Sequence, residues 1–255
     1  MRLGAIHRAA PPSIAPLHAR ASLSLMTAPP SCDWHAKYPA NGDALGNDTI
    51  GVCVEAAEFQ TAAMRRANAW GDQRRPTADQ VVALYTELSG FNPATGVPDD
   101  GTDTAQAMAA WCANGVYLDP QTCDVVRWAT VDPANLEHVK LAIATTGPIQ
   151  ITLNLPLSAQ ETPNWALDPT PWLGQPDWKP GGWGPHRVGG GKYDGDTLEV
   201  LTWGKYVPVH PRWFSAYALG CDATISREFL DTTGIAPNGL DWSALENDIR
   251  LLATA

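Results

Sequence analysis

Two residues stand out for the chemistry their types and positions permit: Cys53 and His186. Cys53 follows the segment Gly46-Asn47-Asp48-Thr49-Ile50-Gly51-Val52. It opens a stretch where Val52, Ala56, Phe59, Ala63, Ala67 and Trp70 recur at three-and-four spacing. That spacing predicts a long helix with one buried face, stopping at Gly71. Asp48 and Thr49 are placed to cap its free N–H groups. A cysteine at a helix N-terminus meets roughly half a positive charge, which favours thiolate over thiol. His186 lies far downstream, in Gly181-Gly182-Trp183-Gly184-Pro185-His186-Arg187-Val188, and a strand-like run leads from it to Thr202-Trp203-Gly204. A thiolate with a histidine base is a nucleophile for acyl transfer. The alternative for Cys53 is a small buried residue that merely begins a helix.

The elements that must position this pair are legible in outline. A second helix follows Pro76, with Thr77 and Gln80 as a capping box, a stripe of Val81, Leu84, Tyr85 and Leu88, and Gly90 at its end. A third runs from Thr104 to Asn114. The Asp99-Asp100-Gly101-Thr102-Asp103 cluster lacks the ligand order of a calcium loop and reads as a helix N-terminus rich in caps. After Gly115 the pattern turns to β. Asp132-Pro133 begins one further helix, with Leu136, Val139 and Ile143 inward. Ile149, Ile151, Leu153 and Leu155 then alternate with polar residues as a half-buried strand. A proline- and tryptophan-rich loop over 156–182 leads to His186. Gly189-Gly190-Gly191-Lys192 has no Ser or Thr after the lysine, so it is not a phosphate loop; its glycines let a strand bend or approach another backbone. Val207 to Tyr217 reads as an edge strand or turn because of Pro208 and Pro211. A last short helix is expected to be capped at Asp241.

Composition narrows the function classes. A net charge of −10 argues against nucleic acid as the main partner. No apolar run reaches membrane-spanning length, and residues 1–30 hold no apolar core of a secretory signal. They read as an extended arm, rich in Ala, Pro and Ser, that docks on the domain itself or on other protein subunits; Met26 is an alternative start to Met1. The five cysteines are 32, 53, 112, 123 and 221. They show no paired Cys-x-x-Cys, so neither a metal nor a cofactor is expected, and Cys112 and Cys123 are expected to be reduced thiols rather than a closed loop. His35, His138 and His210 have no partner pattern.

The order Cys53, His186, Trp203-Gly204 resembles the papain-like cysteine peptidases. In that family the nucleophile opens the central helix of an N-terminal helical half, the histidine starts a strand of a C-terminal β half, and an Asn-Ser-Trp-Gly segment orients the histidine. The resemblance places Cys53 as nucleophile, His186 as base and Asn47 where the family has its oxyanion glutamine. The Gly46-Asn47-Asp48…Gly51-Val52-Cys53 and Thr202-Trp203-Gly204 segments are also similar to a looser group of papain-fold proteins of phages and prophages. Two departures stand out. Val52 and Val54 flank the cysteine where the family has small and aromatic residues, and the orienting asparagine is missing. Register from Trp203 puts Leu201 in its place; spacing from His186 and strand parity put Thr202 there, with Asp194 and Asp196 as fallbacks.

The expected fold class is α+β, with a helical half (about 31–115) packed on an antiparallel β half (about 116–220), preceded by the 1–30 arm and followed by a 221–255 extension. One reading of function is a cysteine hydrolase acting on peptide or amide bonds, of a protein or a cell-wall peptide. The other is a papain-fold component of a phage particle with no turnover. The expected location is a virion or the bacterial cytoplasm.

Overall fold

The computed structural model describes residues 2–14, 16–17, 26–119, 121–226 and 229. The first half is helical: α1 (Cys53–Trp70), α2 (Ala78–Ser89) and α3 (Thr104–Asn114). Each ends where glycine supplies the turn, and Gly71 and Gly90 both adopt left-handed backbone. The capping box of Thr77 and Gln80 is formed on α2, and the Asp103 carboxylate accepts from the Ala105 and Gln106 N–H groups to cap α3. Asp99, at the other end of that acidic cluster, accepts from the Gly51 N–H and the Tyr85 hydroxyl. Among the described residues no group of side chains is arranged to hold a metal ion, and no helix is long and apolar enough to cross a membrane.

Three helical expectations need correction. Helix α1 does not bury one face: Cys53 to Asn68 are all buried, whereas Trp70 is exposed. The sheet covers one side of it and α2, α3 and the β4–β5 hairpin (Val116–Leu118 and Gln121–Cys123) the other. Its first residue is preceded by Val52, with no side-chain cap; the Thr49 hydroxyl donates instead to the Gly46 carbonyl, so neither Asp48 nor Thr49 caps it. The helix expected at Asp132-Pro133 begins later, as α4 (Leu136–Thr146), capped by Asn135.

The second half is an antiparallel sheet of β6 (Val125–Val131), β7 (Ile149–Leu155), β8 (Gly184–Asp194), β9 (Thr197–Thr202), β10 (Lys205–Val209) and β11 (Ala218–Ser226), in the order β10-β9-β8-β7-β11-β6. Short β2 (Ser31–Asp33) extends it beside the far end of β8. Pro208 sits on the edge strand, where its missing N–H is harmless, and Pro211 begins a helix, α5 (Pro211–Tyr217), rather than continuing a strand. Strand β11 lies between β7 and β6, so the sheet runs past the boundary expected at 220; the helix expected at Asp241 lies outside the described residues.

The loop over 156–182 folds into short 3₁₀ turns around Trp165, which is fully buried and stacks on Trp213 at 4.8 Å. All five cysteines are free thiols. Strand β8 must pass close over α1 and β2. It does so with a register shift between Gly190 and Lys192, leaving Gly191 where a Cβ would lie 2.7 Å from His35 Nε2 and 2.8 Å from Met64 Sδ. Gly191→Ala is therefore expected to destabilise the protein by about 1–3 kcal/mol through overpacking, read as a lower midpoint in urea unfolding. An unchanged midpoint would show that the bulge has room to spare.

Candidate functional site

The N-terminus of α1 abuts β8, which brings Cys53 against the backbone of Arg187, the neighbour of His186. Cys53 and His186 are both fully buried. On β8 the His186 imidazole stacks on Trp203 at 4.5 Å with the rings 12° from parallel. Its Nε2 lies 2.7 Å from Thr202 Oγ1 at the end of β9. Its Nδ1 has no hydrogen-bond partner, Cys53 included. Leu201 pairs with Gly189 across the β8–β9 ladder and points the other way from Thr202, as strand parity requires. The tight turn that follows holds Trp203 in left-handed backbone, at φ +46°, and so lays its ring on the histidine.

Asn47 is buried, and its Oδ1 is without a partner. It lines, with Cys53, Thr202 and Trp203, a cleft too narrow to hold a water molecule. Asp194 and Asp196 are at the far end of the β8–β9 hairpin. Asp194 pairs with Thr197 in the ladder, and the Asp196 carboxylate is 3.0 Å from Lys140 Nζ. Neither bonds His186. Among the sequence-derived candidates, the structure thus joins His186 to Thr202 and places Cys53 and Asn47 along the same cleft, without a Cys53–His186 hydrogen bond.

The electrostatics correct the expectation of an ionised thiol. Burial pushes Cys53 up to about 12, and the nearby Glu55 adds to the rise, although backbone N–H groups of Arg187 and Gly4 aimed at the sulfur pull the other way. The helix N-terminus cannot outweigh full desolvation. Burial likewise draws His186 down to about 3. The resting pair is a neutral thiol and a neutral imidazole. On the same turn of α1, Glu55 accepts a 2.5 Å bond from the hydroxyl of Thr102, and burial raises it to about 7. The buried Arg187 guanidinium is held by Asp222 at 2.8 Å and by Thr152 Oγ1 at 3.0 Å.

What covers the thiol is the chain's own N-terminal segment. Ala5–Ile6 (β1) pairs in parallel with Thr102–Asp103 (β3), and the Thr102 N–H donates to the Gly4 carbonyl at 2.7 Å. Gly4 threads between Gly51 and Gly101 so closely that a Cβ on it would lie 1.8 Å from the Gly51 carbonyl oxygen. Sequence reasoning missed Gly4 and the Arg187 N–H. The available signal was a glycine inside the apolar run Leu3-Gly4-Ala5-Ile6, in a segment otherwise rich in Ala and Pro.

No family model and no curated sequence matches this chain. Solved structures do. Xylellain, a cysteine protease from Xylella fastidiosa, superposes with a TM-score of 0.62 at 14% identity, covering 88% of this chain and 95% of its own. ProCathepsin B S9 from Trypanosoma congolense gives 0.58 at 12% identity, over 87% and 85%. The cysteine protease CMS1MS2 from Carica candamarcensis, solved in complex with E-64, gives 0.56 at 13% identity, over 77% and 98%. The fold is that of the papain-like cysteine proteases. At these identities the papain-like likeness is one of fold alone, and the chemistry of this chain must be argued from its own residues.

Because Gly4 has no space for a side chain, Gly4→Leu is expected to dislodge the segment while leaving the rest of the fold intact. The Cys53 alkylation rate with iodoacetamide should rise on the order of tenfold or more as the thiol meets solvent. Peptide mapping by mass spectrometry, with circular dichroism to verify folding, checks this; an unchanged rate would mean that the segment is not what shields the sulfur.

Proposed function

We propose that this chain is a cysteine hydrolase of peptide or amide bonds, latent while residues 2–6 cover Cys53. The reading rests on one observation above all. The Thr202 hydroxyl engages His186 Nε2 and leaves Nδ1 as the free nitrogen in a papain-like fold whose α1 begins with Cys53. With the segment displaced and water admitted, the desolvation that holds Cys53 neutral is relieved and the N-terminus of α1 favours the thiolate. The Cys53 proton passes to His186 Nδ1 while Sγ attacks the carbonyl carbon. The Cys53 N–H and the Asn47 side-chain amide donate to the oxyanion, and His186 returns the proton to the departing amine. Water, deprotonated by the same nitrogen, then releases the acyl group from the thioester.

Thr202 performs the orienting task less completely than an amide. A threonine hydroxyl can either donate to Nε2 or accept from it, so it does not by itself dictate which ring nitrogen carries the proton. The chain should therefore be a slow enzyme. A protein or cell-wall peptide is the substrate class in this reading.

A second reading is favoured by the burial of both Cys53 and His186: a papain-fold component without turnover, of the phage or prophage kind that the Gly-Asn-Asp and Thr-Trp-Gly segments resemble, with the N-terminal arm serving contacts to other subunits. The two separate in a Gly4→Leu background treated with E-64, the molecule bound in the Carica candamarcensis neighbour. The hydrolase reading expects covalent labelling at Cys53, lost with His186→Ala, and slowed about tenfold by Thr202→Val, the worth of one hydrogen bond near 1.4 kcal/mol. Iodoacetamide labelling of Cys53 without any E-64 labelling would contradict it and favour the structural component.

A further inference from the structure

Residues 2–4 lie along the cleft as an extended peptide would, and each meets a different part of it. Gly4 passes the thiol with its N–H aimed at the Cys53 sulfur and its carbonyl accepting from the Thr102 N–H. The Leu3 side chain lies over Gly184, near the start of the strand that carries His186, 3.5 Å from where a Cβ would stand. Arg2 reaches Asp99: its Nη1 is 3.0 Å from Oδ2, and its Nη2 donates to the Asp99 carbonyl at 2.9 Å. Main-chain pairing of this kind accepts many sequences, so selectivity must come from the side chains.

The Asp99 carboxylate is held in place to receive a cation. Its Oδ1 accepts from the Gly51 N–H at 2.9 Å and from the Tyr85 hydroxyl at 2.8 Å, and that hydroxyl accepts from the Gly101 N–H at 3.0 Å. The carboxylate is thereby fixed to the two glycines between which Gly4 threads, with Oδ2 left to Arg2. The Asp99 side chain is 2% exposed, whereas that of Arg2 is 54% exposed. The guanidinium therefore covers Oδ2 from the solvent side. Its departure uncovers that oxygen and leaves an enclosed carboxylate without its cation.

We propose that the cleft of Cys53 takes extended peptides carrying an arginine two residues before a glycine, with the arginine on Asp99 and the glycine against the thiol, and that Asp99 sets this preference. The proposal rests on the hydrolase reading for the fate of the peptide, not for its binding. The guanidinium fork spans the Asp99 carboxylate and carbonyl together, a pair of bonds that a lysine ammonium matches less well. The glycine follows from the approach to Gly51, since any side chain at Gly4 would strike the Gly51 carbonyl.

The test is protection of Cys53 from iodoacetamide in the full-length Gly4→Leu chain by the peptide acetyl-Arg-Leu-Gly-Ala-Ile-amide. With citrulline, an uncharged analogue, in place of its arginine, about tenfold more peptide should be needed for equal protection, the loss of one charge-assisted bond. With leucine in place of its glycine the peptide should not protect. Asp99→Asn keeps an oxygen for Gly51 and Tyr85 and should abolish the preference for arginine over citrulline. If that variant does not fold, Arg2→Gln in the otherwise native chain decides: it should raise the Cys53 alkylation rate several-fold, and Arg2→Lys should raise it less. Protection by the arginine peptide without its cleavage, read by mass spectrometry, would support the proposal and count against the hydrolase reading. Equal protection by the arginine and citrulline peptides, protection by neither, protection by the leucine peptide, or an arginine preference retained in Asp99→Asn would each overturn the proposal. So would a Cys53 no more reactive in Gly4→Leu than in the native chain, or an unchanged rate in Arg2→Gln.

Discussion

The constraint on which the structure turns is that α1 is buried around its whole circumference. An ordinary surface helix hides one stripe and leaves its charges in water. Here Glu55, Glu58, Arg65 and Arg66 go inside with the helix, and each demands a solution. Arg65 donates to the Pro148 and Thr224 carbonyls and to Ser226, tying the helix to the sheet. Arg66 donates to the Leu118 carbonyl and pairs with Asp72, tying it to the hairpin. Glu55 takes the Thr102 hydroxyl, fixing the strand on which the N-terminal segment docks. The helix is thus the hub through which the arm, the hairpin and the sheet are held in register.

The same burial decides the state of the candidate site. A thiol and an imidazole in contact with solvent would titrate near their ordinary values; enclosed by the arm, the sheet and the tryptophan cluster, both stay neutral. The closed cleft and the neutral pair are two views of one fact, since displacing backbone at Gly4 would restore both access and charge. Stacking on Trp203 and the bond to Thr202 hold the His186 ring without help from Cys53, so the histidine is positioned before any substrate arrives.

Much of this was legible in the sequence because it follows from local rules. The helix bounded by Cys53 and Gly71, the Thr77–Gln80 capping box and the alternation through Ile149 to Leu155 depend on neighbouring residues alone. Strand parity on β9 put Thr202 rather than Leu201 towards His186, and the ladder obeys it. What escaped is non-local. Nothing within residues 48–52 reveals that Asp99, not Asp48, would satisfy the backbone of Gly51. Full burial of α1 depends on four separate partners that a helical period cannot register, and the raised thiol depends on a glycine some fifty residues earlier meeting Gly51 and Gly101.

The central claim is that His186 is a neutral base, kept so by burial, with Nε2 on Thr202 and Nδ1 free. Nitrogen-15 NMR of the His186 ring, recorded from pH 4 to pH 8, tests it most directly. The account predicts a neutral imidazole throughout, because burial draws the ring down to about 3, with its proton on Nε2, where the Thr202 hydroxyl can accept it, and not on the buried Nδ1, which has no acceptor. A ring that titrates near 6.5, or a proton resident on Nδ1, would contradict it.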